Sequence, residues 1–271
     1  MGILNLTPDS FSDGSKYNTI DRAIAHVEHM LADGADIIDV GAVSTRPNAP
    51  PVPEDEEKRR LFPILDALLK RFPDALFSLD TFRSSIAQAG LEHGVHIIND
   101  ISGGQFDPLL WETVAKYQCP YVLMHIQGTP QTMQQNPVYQ DVVLDIYSYF
   151  VERIQSAQAK GIKEIIIDPG FGFGKTFEHN TQLFQKLHLF KTLPYPLLIG
   201  ISRKSWVRTL SGSNLGEWEK MVPVHAALHW HALLQGVNIL RVHEVKPAVQ
   251  IRDLFLQLQP QPYGPALSTP F

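Results

Sequence analysis

Eight short apolar runs punctuate the chain, separated by longer stretches of helical periodicity. The runs are GILNLT (2–7), ADIIDVGA (35–42), LFSLDT (76–81), HIINDI (96–101), YVLMHI (121–126), EIIIDP (164–169), PLLIGIS (196–202) and ILRVHE (239–244). Each has strand length and is rich in leucine or β-branched residues. Near-continuous hydrophobicity, rather than strict alternation, marks strands covered on both faces, as in a parallel sheet. Among the helical stretches, IDRAIAHVEHMLADG places Ile20, Ala23, Ile24, Val27 and Leu31 on one stripe and ends at a capping Gly34. PEDEEKRRLFPILDALLKRF opens on acids, which suits the helix dipole, and its Pro63 predicts a kink or a division. Six more helical patterns follow, the last being KPAVQIRDLFLQL. Eight strand–helix alternations predict an α/β protein, a closed (β/α)8 TIM barrel; the rival is an open doubly wound sheet. A length of about 250 residues for eight units favours the barrel. One barrel domain is expected over residues 1–258, then a loose proline-rich tail, QPQPYGPALSTPF, over roughly 259–271.

Composition narrows the partners. The formal charge is −5, with acids and bases interspersed and no lysine- or arginine-rich block. Nucleic acid and anionic membranes are therefore not expected. No apolar run approaches about 18 residues, so no spanning helix is expected, and no leader is evident. The lone Cys119 fits a reducing compartment, and the expectation is a soluble cytoplasmic protein.

Polar residues fall at the ends of the runs: Asn5, Asp39, Asp80, Asn99 with Asp100, His125, Asp168 and His243. The remaining run ends in Ser202, followed by Arg203 and Lys204. In a βα barrel these positions share the C-terminal mouth, where active sites of the fold lie. Any single Asp or Ser could instead cap the next helix; the recurrence at all eight points to a site. Carboxylates and an asparagine suit the planar N–C–N edge of a heterocycle, while Arg46, Lys204, Arg241 and His243 suit phosphate.

The segment IIIDPGFGFGKT (165–176) ends in a Gly-Lys-Thr that invites a phosphate-loop reading. That motif needs a glycine with four residues between it and the Gly-Lys pair; here Pro169 stands there. A dinucleotide fingerprint fails too, because its third glycine would be Lys175 or Phe177. The loop reads instead as a βα loop at the mouth. Its glycines allow close backbone approach, Asp168 lies beneath, and Phe171 or Phe173 supplies an aromatic wall. Two further loops, TPDSFSDGS (7–15) and STRPNAPPVP (44–53), hold few apolar residues and are expected to order around a bound ion cluster. The histidines at 26, 29, 225, 229 and 231 form no metal set with cysteine and read as surface or second-layer residues.

Taken together, MGILNLTPDSFSDG, DGADIIDVGAVSTRP, SLDT, HIINDISGG, VLMHIQGTPQTMQ, IIIDPGFGFGKT, GISRKS and ILRVHEV resemble the dihydropteroate synthase family, in order from residue 1 to about 258. The resemblance implies a TIM barrel, usually a homodimer, that joins p-aminobenzoate to 6-hydroxymethyl-7,8-dihydropterin pyrophosphate with Mg2+. It implies that Asp80, Asn99 and Asp168 grip the pterin, that Lys204 hydrogen-bonds it, that Arg241 stacks on it and that Met124 packs nearby. Asn5 would hold Mg2+ on the pyrophosphate, with Arg46 and His243 neutralising its oxygens. Thr45, Pro47 and Phe173 would wall the p-aminobenzoate pocket, and Ser205, at a helix start, would meet its carboxylate. Asp9 and Phe11 would belong to the first loop. Lys204, Arg241, Asp80 and Asp168 would carry the catalytic work.

The chain departs from the family pattern at Ala42 and Val43, where the family has glycine and glutamate, and at Glu244, where it has aspartate. The family's preceding hairpin is also missing from this sequence. Two alternatives stay open at this level: a pterin-dependent methyltransferase of the same barrel type, and a non-enzymatic pterin-binding paralogue.

Overall fold

A computed structural model describes residues 1–6, 16–43 and 52–259. Eight parallel strands follow in chain order: β1 (Gly2–Asn5), β2 (Ile37–Gly41), β3 (Leu76–Asp80), β4 (Ile97–Asp100), β5 (Tyr121–Met124), β6 (Ile165–Asp168), β7 (Leu198–Ile199) and β8 (Ile239–Leu240). The first six pair sequentially in one sheet, and β7 pairs with β8. Parallel bridges join the two sheets at both edges, Ile167 to Leu197 and Gly2 to Val242. Backbone bonds from Ile3 N to Val242 O (2.9 Å) and from Val242 N to Met1 O (3.0 Å) close the ring. The expected barrel is thus the fold, with its thinnest ladder at β7 and β8.

Helices α1 (Lys16–Ala32), α2 (Glu54–Arg71), α3 (Ser84–His93), α4 (Leu110–Tyr117), α5 (Val142–Ala159), α6 (Phe177–Gln185), α7 (Ser205–Ser211), α8 (Val222–Leu234) and α9 (Val245–Leu258) surround it. The sequence pattern accounted for eight; α7 is a short addition in the β7–α8 connection. Gly34 ends α1 at φ +93°, with Ala35 N donating to Met30 O at 3.0 Å. Pro63 does not divide α2, which runs on through it. Its missing N–H costs one helical bond, and burial of Leu61, Ile64, Leu65 and Leu68 holds the helix against the barrel.

Alternation along the strands builds the interior in layers. Met1, Ile97, Val122, Ile166 and Leu198, with Ile37 and Ile239 packed on them, fill the floor. Two residues onward on the same face come Asp39, Asn99, Met124, Asp168 and Arg241. The intervening residues, such as Ile38, Val40, Ile98, Leu123 and Ile167, point out to the helices and belong to the main core.

Asp100 also takes the outer face. It is fully buried and accepts from Tyr121 Oη (2.6 Å), Ser102 N (2.7 Å), Ser102 Oγ (3.0 Å) and Gly104 N (2.6 Å). The sequence placed it beside Asn99 at the mouth; in the fold it fastens the β4–α4 turn. Tyr121 Oη in turn accepts from Trp111 Nε1 at 3.0 Å. Tyr121→Phe therefore strands a buried indole N–H and removes one donor from a buried carboxylate, at a cost of about 1–3 kcal/mol. Thermal melting should show a fall of several degrees, and an unchanged midpoint would refute the network's importance.

Candidate active site

The register aligns the strand ends. Asn5 pairs with Gly41, Gly41 with Asp80, and Asp80 with Asn99; further round, Met124 pairs with Asp168. One row of strand termini thus brings together Asn5, Asp80 and Asn99, while Asp168 ends β6 two residues beyond that row. Asp39 lies two residues before Gly41 on the same inward face of β2.

Arg241 binds this row together. Its Nε donates to Asp39 Oδ2 at 2.6 Å, and its Nη2 to Asp80 Oδ2 at 2.8 Å. Asn99 Nδ2 donates to the same Asp39 oxygen at 3.0 Å. Asp39 is fully buried and its Oδ1 has no protein partner. Sequence reasoning put Asp39 at the mouth but gave it no task; here it anchors Arg241. Burial pushes Asp80 up to about 7, against the pull of Arg241 and with repulsion from Asp39. Asp168 rises to about 6 by burial, restrained by the Gly170 N–H and then by Arg241, Lys204 and Lys175. Arg241 is held above its usual value: burial opposes its charge, but Asp39 and Asp80 outweigh that.

The glycine-rich loop after β6 arches over Asp168, whose Oδ1 accepts from Gly170 N at 2.8 Å. Gly170 has φ +70°, and a Cβ there would lie 2.0 Å from the carbonyl oxygen of His125. Only glycine allows this approach. Of the two candidate aromatic walls, Phe171 goes to the core, stacked on Trp206 at 5.7 Å. Phe173 faces the mouth, in an apolar cluster with Ile101, Met124, Ile126 and Met133. Lys204 Nζ sits 4.1 Å from the Phe173 ring centroid, a cation–π distance.

Ser205 opens α7 directly after Lys204. Asn5 is half-buried at the exit of β1. His243 reaches Ser202 Oγ through Nδ1 at 3.0 Å. The departure at Glu244 has a partner: its Oε1 accepts from Arg203 Nε at 2.8 Å, tying the β7 and β8 loops together. Arg203 holds φ +59°, uncommon without glycine, and its N–H donates to Nε2 of the buried His225 at 3.3 Å. His125 lies beneath the β6 loop, with Lys175 Nζ 3.0 Å from its Nδ1. Lys175 follows Gly174 in this loop, and the sequence pattern assigns it no role. Asp9, Phe11, Thr45, Arg46 and Pro47, and the tail from residue 260, lie outside the described residues.

A parallel barrel whose mouth sets acids and an asparagine beneath cations defines a barrel enzyme for a flat, nitrogen-rich ligand carrying negative charge. The family described as pterin binding enzyme matches residues 1–243. Dihydropteroate synthase from Streptococcus pyogenes serotype M3 is 43% identical over 260 residues, spanning 95% of this chain and 94% of that one. Two solved structures superpose closely. One is Yersinia pestis dihydropteroate synthase with a sulfonamide drug complex, with TM-score 0.87, 42% identity and coverage of 95% and 92%. The other is Xanthomonas albilineans dihydropteroate synthase with 4-aminobenzoic acid, with TM-score 0.89, 38% identity and coverage of 97% and 93%. The chain belongs to the dihydropteroate synthase family, transferases of folate biosynthesis. The methyltransferase and non-enzymatic alternatives are not supported. Among the described residues no helix is long and apolar enough to cross a membrane.

Proposed function

We propose that the chain condenses 6-hydroxymethyl-7,8-dihydropterin pyrophosphate with p-aminobenzoate, giving 7,8-dihydropteroate and pyrophosphate, as a cytoplasmic homodimer. The observation that carries this is the convergence of Asp80, Asn99 and Asp168 with Arg241 and Lys204 at one mouth. The Yersinia and Xanthomonas enzymes, seen with a sulfonamide drug and with 4-aminobenzoic acid, support it.

In this reading Asp80, Asn99 and Asp168 take the pterin's N–C–N edge and ring nitrogens. Lys204 hydrogen-bonds the ring, Arg241 covers its face, and Met124 packs against it. Arg46 and His243 face the pyrophosphate. Thr45, Pro47 and Phe173 wall the aminobenzoate site, Ser205 meets its carboxylate, and Asp9 and Phe11 close over the cluster. Mg2+ takes oxygen ligands and keeps several waters, so one amide oxygen plus substrate phosphates suffices. Asn5, half-buried at a strand exit, fits that need. When bound, the ion would stabilise charge on the departing pyrophosphate.

The reaction begins as the carbon–oxygen bond breaks, its electron pair leaving with pyrophosphate. The aminobenzoate nitrogen then bonds to the cationic methylene and sheds a proton. An aniline needs little help from a base against such a carbon, and in this reading Mg2+, Arg46 and His243 would offset the charge that develops on the leaving group.

A coupled assay for pyrophosphate, with both substrates and Mg2+, tests the function. Slow release without p-aminobenzoate is expected from this order of bond breaking; strict dependence on the amine would count against it. Because pterin binding needs acceptors at Asp80 and Asp168, kcat/KM should fall as pH drops through about 7 to 6. A profile flat down to pH 5 would remove those carboxylates from the site.

A further inference from the structure

Lys175 closes the glycine-rich loop from beneath. Its side chain is buried, and its ammonium donates to Gly170 O at 2.9 Å, Phe173 O at 3.0 Å and His125 Nδ1 at 3.0 Å. An ammonium carries three protons, so these acceptors use all of them and leave none for a substrate. Burial, reinforced by Lys175, holds His125 well below the usual histidine range. The ring is therefore neutral, and facing a protonated Lys175 its Nδ1 is the acceptor.

Two consequences reach the mouth. The Phe173 carbonyl is fixed by Lys175, and the Phe173 ring lies under Lys204 Nζ. The Lys175 charge also acts on Asp168, two residues before the Gly170 carbonyl that it binds. Burial lowers Lys175 to about 7, with Asp168 supporting its charge and Lys204 opposing it. His125, on the β5 side, meets the edge of Tyr149 and lies tilted to Tyr139, while Arg241 and Lys204 also favour the Asp168 carboxylate.

We propose that Lys175 is a positioning residue for the condensation: without touching substrate, it sets the Phe173 ring against Lys204 and keeps a positive charge beside the Asp168 carboxylate. This rests on the mouth being the pterin and aminobenzoate site.

The test compares Lys175→Met with Lys175→Gln, which is neutral but still donates. KM for p-aminobenzoate and affinity for the pterin pyrophosphate are measured from pH 5.5 to 8. In Lys175→Met, KM should rise on the order of tenfold, as for loss of about one charge-assisted bond. The pH below which pterin binding weakens should also move up, because a positive charge that favours the Asp168 carboxylate is lost. Lys175→Gln should recover much of the KM but keep the shifted pH limb, separating loop geometry from charge. If Lys175→Met fails to fold, the limb of Lys175→Gln decides. Parental KM and limb in both variants would overturn the proposal. So would a uniform fall in kcat with an unmoved limb, the mark of a merely structural lysine. A parent that binds neither substrate would sink the function itself, and this role with it.

Discussion

Arg241→Ala should lower the stability of the free protein by about 3–5 kcal/mol, the usual cost of removing one partner from a buried ion pair. Two carboxylates depend on this guanidinium. Asp39 is fully buried, and one of its oxygens is already without a protein partner. Asp80 keeps 12% of its side chain exposed and shares the same cation. The remaining donor to Asp39 is a neutral amide, Asn99 Nδ2, which cannot balance two negative charges. The pH dependence has a definite sign. Burial raises Asp80 in the fold above its unfolded value, so the folded state binds more protons, and stability falls as pH rises through that window up to about 7. Removing the cation that pulls Asp80 down extends the effect. The variant's deficit should therefore be larger at pH 8 than at pH 5. Denaturant titrations at both values check this; a deficit independent of pH would mean that Arg241 is held by packing rather than by charge.

Asp80→Ala should behave in the opposite way, with large loss of activity and small loss of stability. Its carboxylate is proposed as a pterin acceptor in a site largely shielded from water. Removing such a group typically costs 10²–10³ in rate, about 2.7–4 kcal/mol. Folding should change little. Arg241 keeps Asp39 through a 2.6 Å bond, and the desolvation that pushes Asp80 up to about 7 disappears with the carboxyl. Pterin affinity and kcat/KM near the parent's would remove Asp80 from the site. A collapse in melting temperature would instead show that Asp80 is structural. The two variants thus separate a cation that serves both the fold and the site from an acid that serves mainly the site.

Much of this protein was legible in one dimension. In five of the strands the residue two places after a floor residue lies at the mouth: Asp39 after Ile37, Asn99 after Ile97, Met124 after Val122, Asp168 after Ile166, and Arg241 after Ile239. Strand count, helix order and the crowding of polar residues at one barrel end all follow from apolar runs that finish on a hydrogen-bonding residue. Gly34 likewise marked the end of α1 because few other residues adopt φ +93° without strain.

What needed the tertiary structure was the destination of each side chain once it left its strand. Asp100 neighbours Asn99 yet turns to the helices, because adjacent strand residues face opposite ways. Phe171 and Phe173 differ by two residues and share a loop, but one meets Trp206 and the other Lys204. Lys175, already excluded from a phosphate loop by Pro169, had no partner assigned until its three acceptors were in view. Glu244 seemed only a departure from a family pattern until Arg203, 41 residues away, met it. Pro63 suggested a kink or a division of α2, and the helix runs on through it undivided. Local sequence determines backbone conformation and the alternation of faces, because those depend on near neighbours. Which buried charge meets which partner depends on strands and loops far apart in the chain, and only the closed barrel brings them within bonding distance.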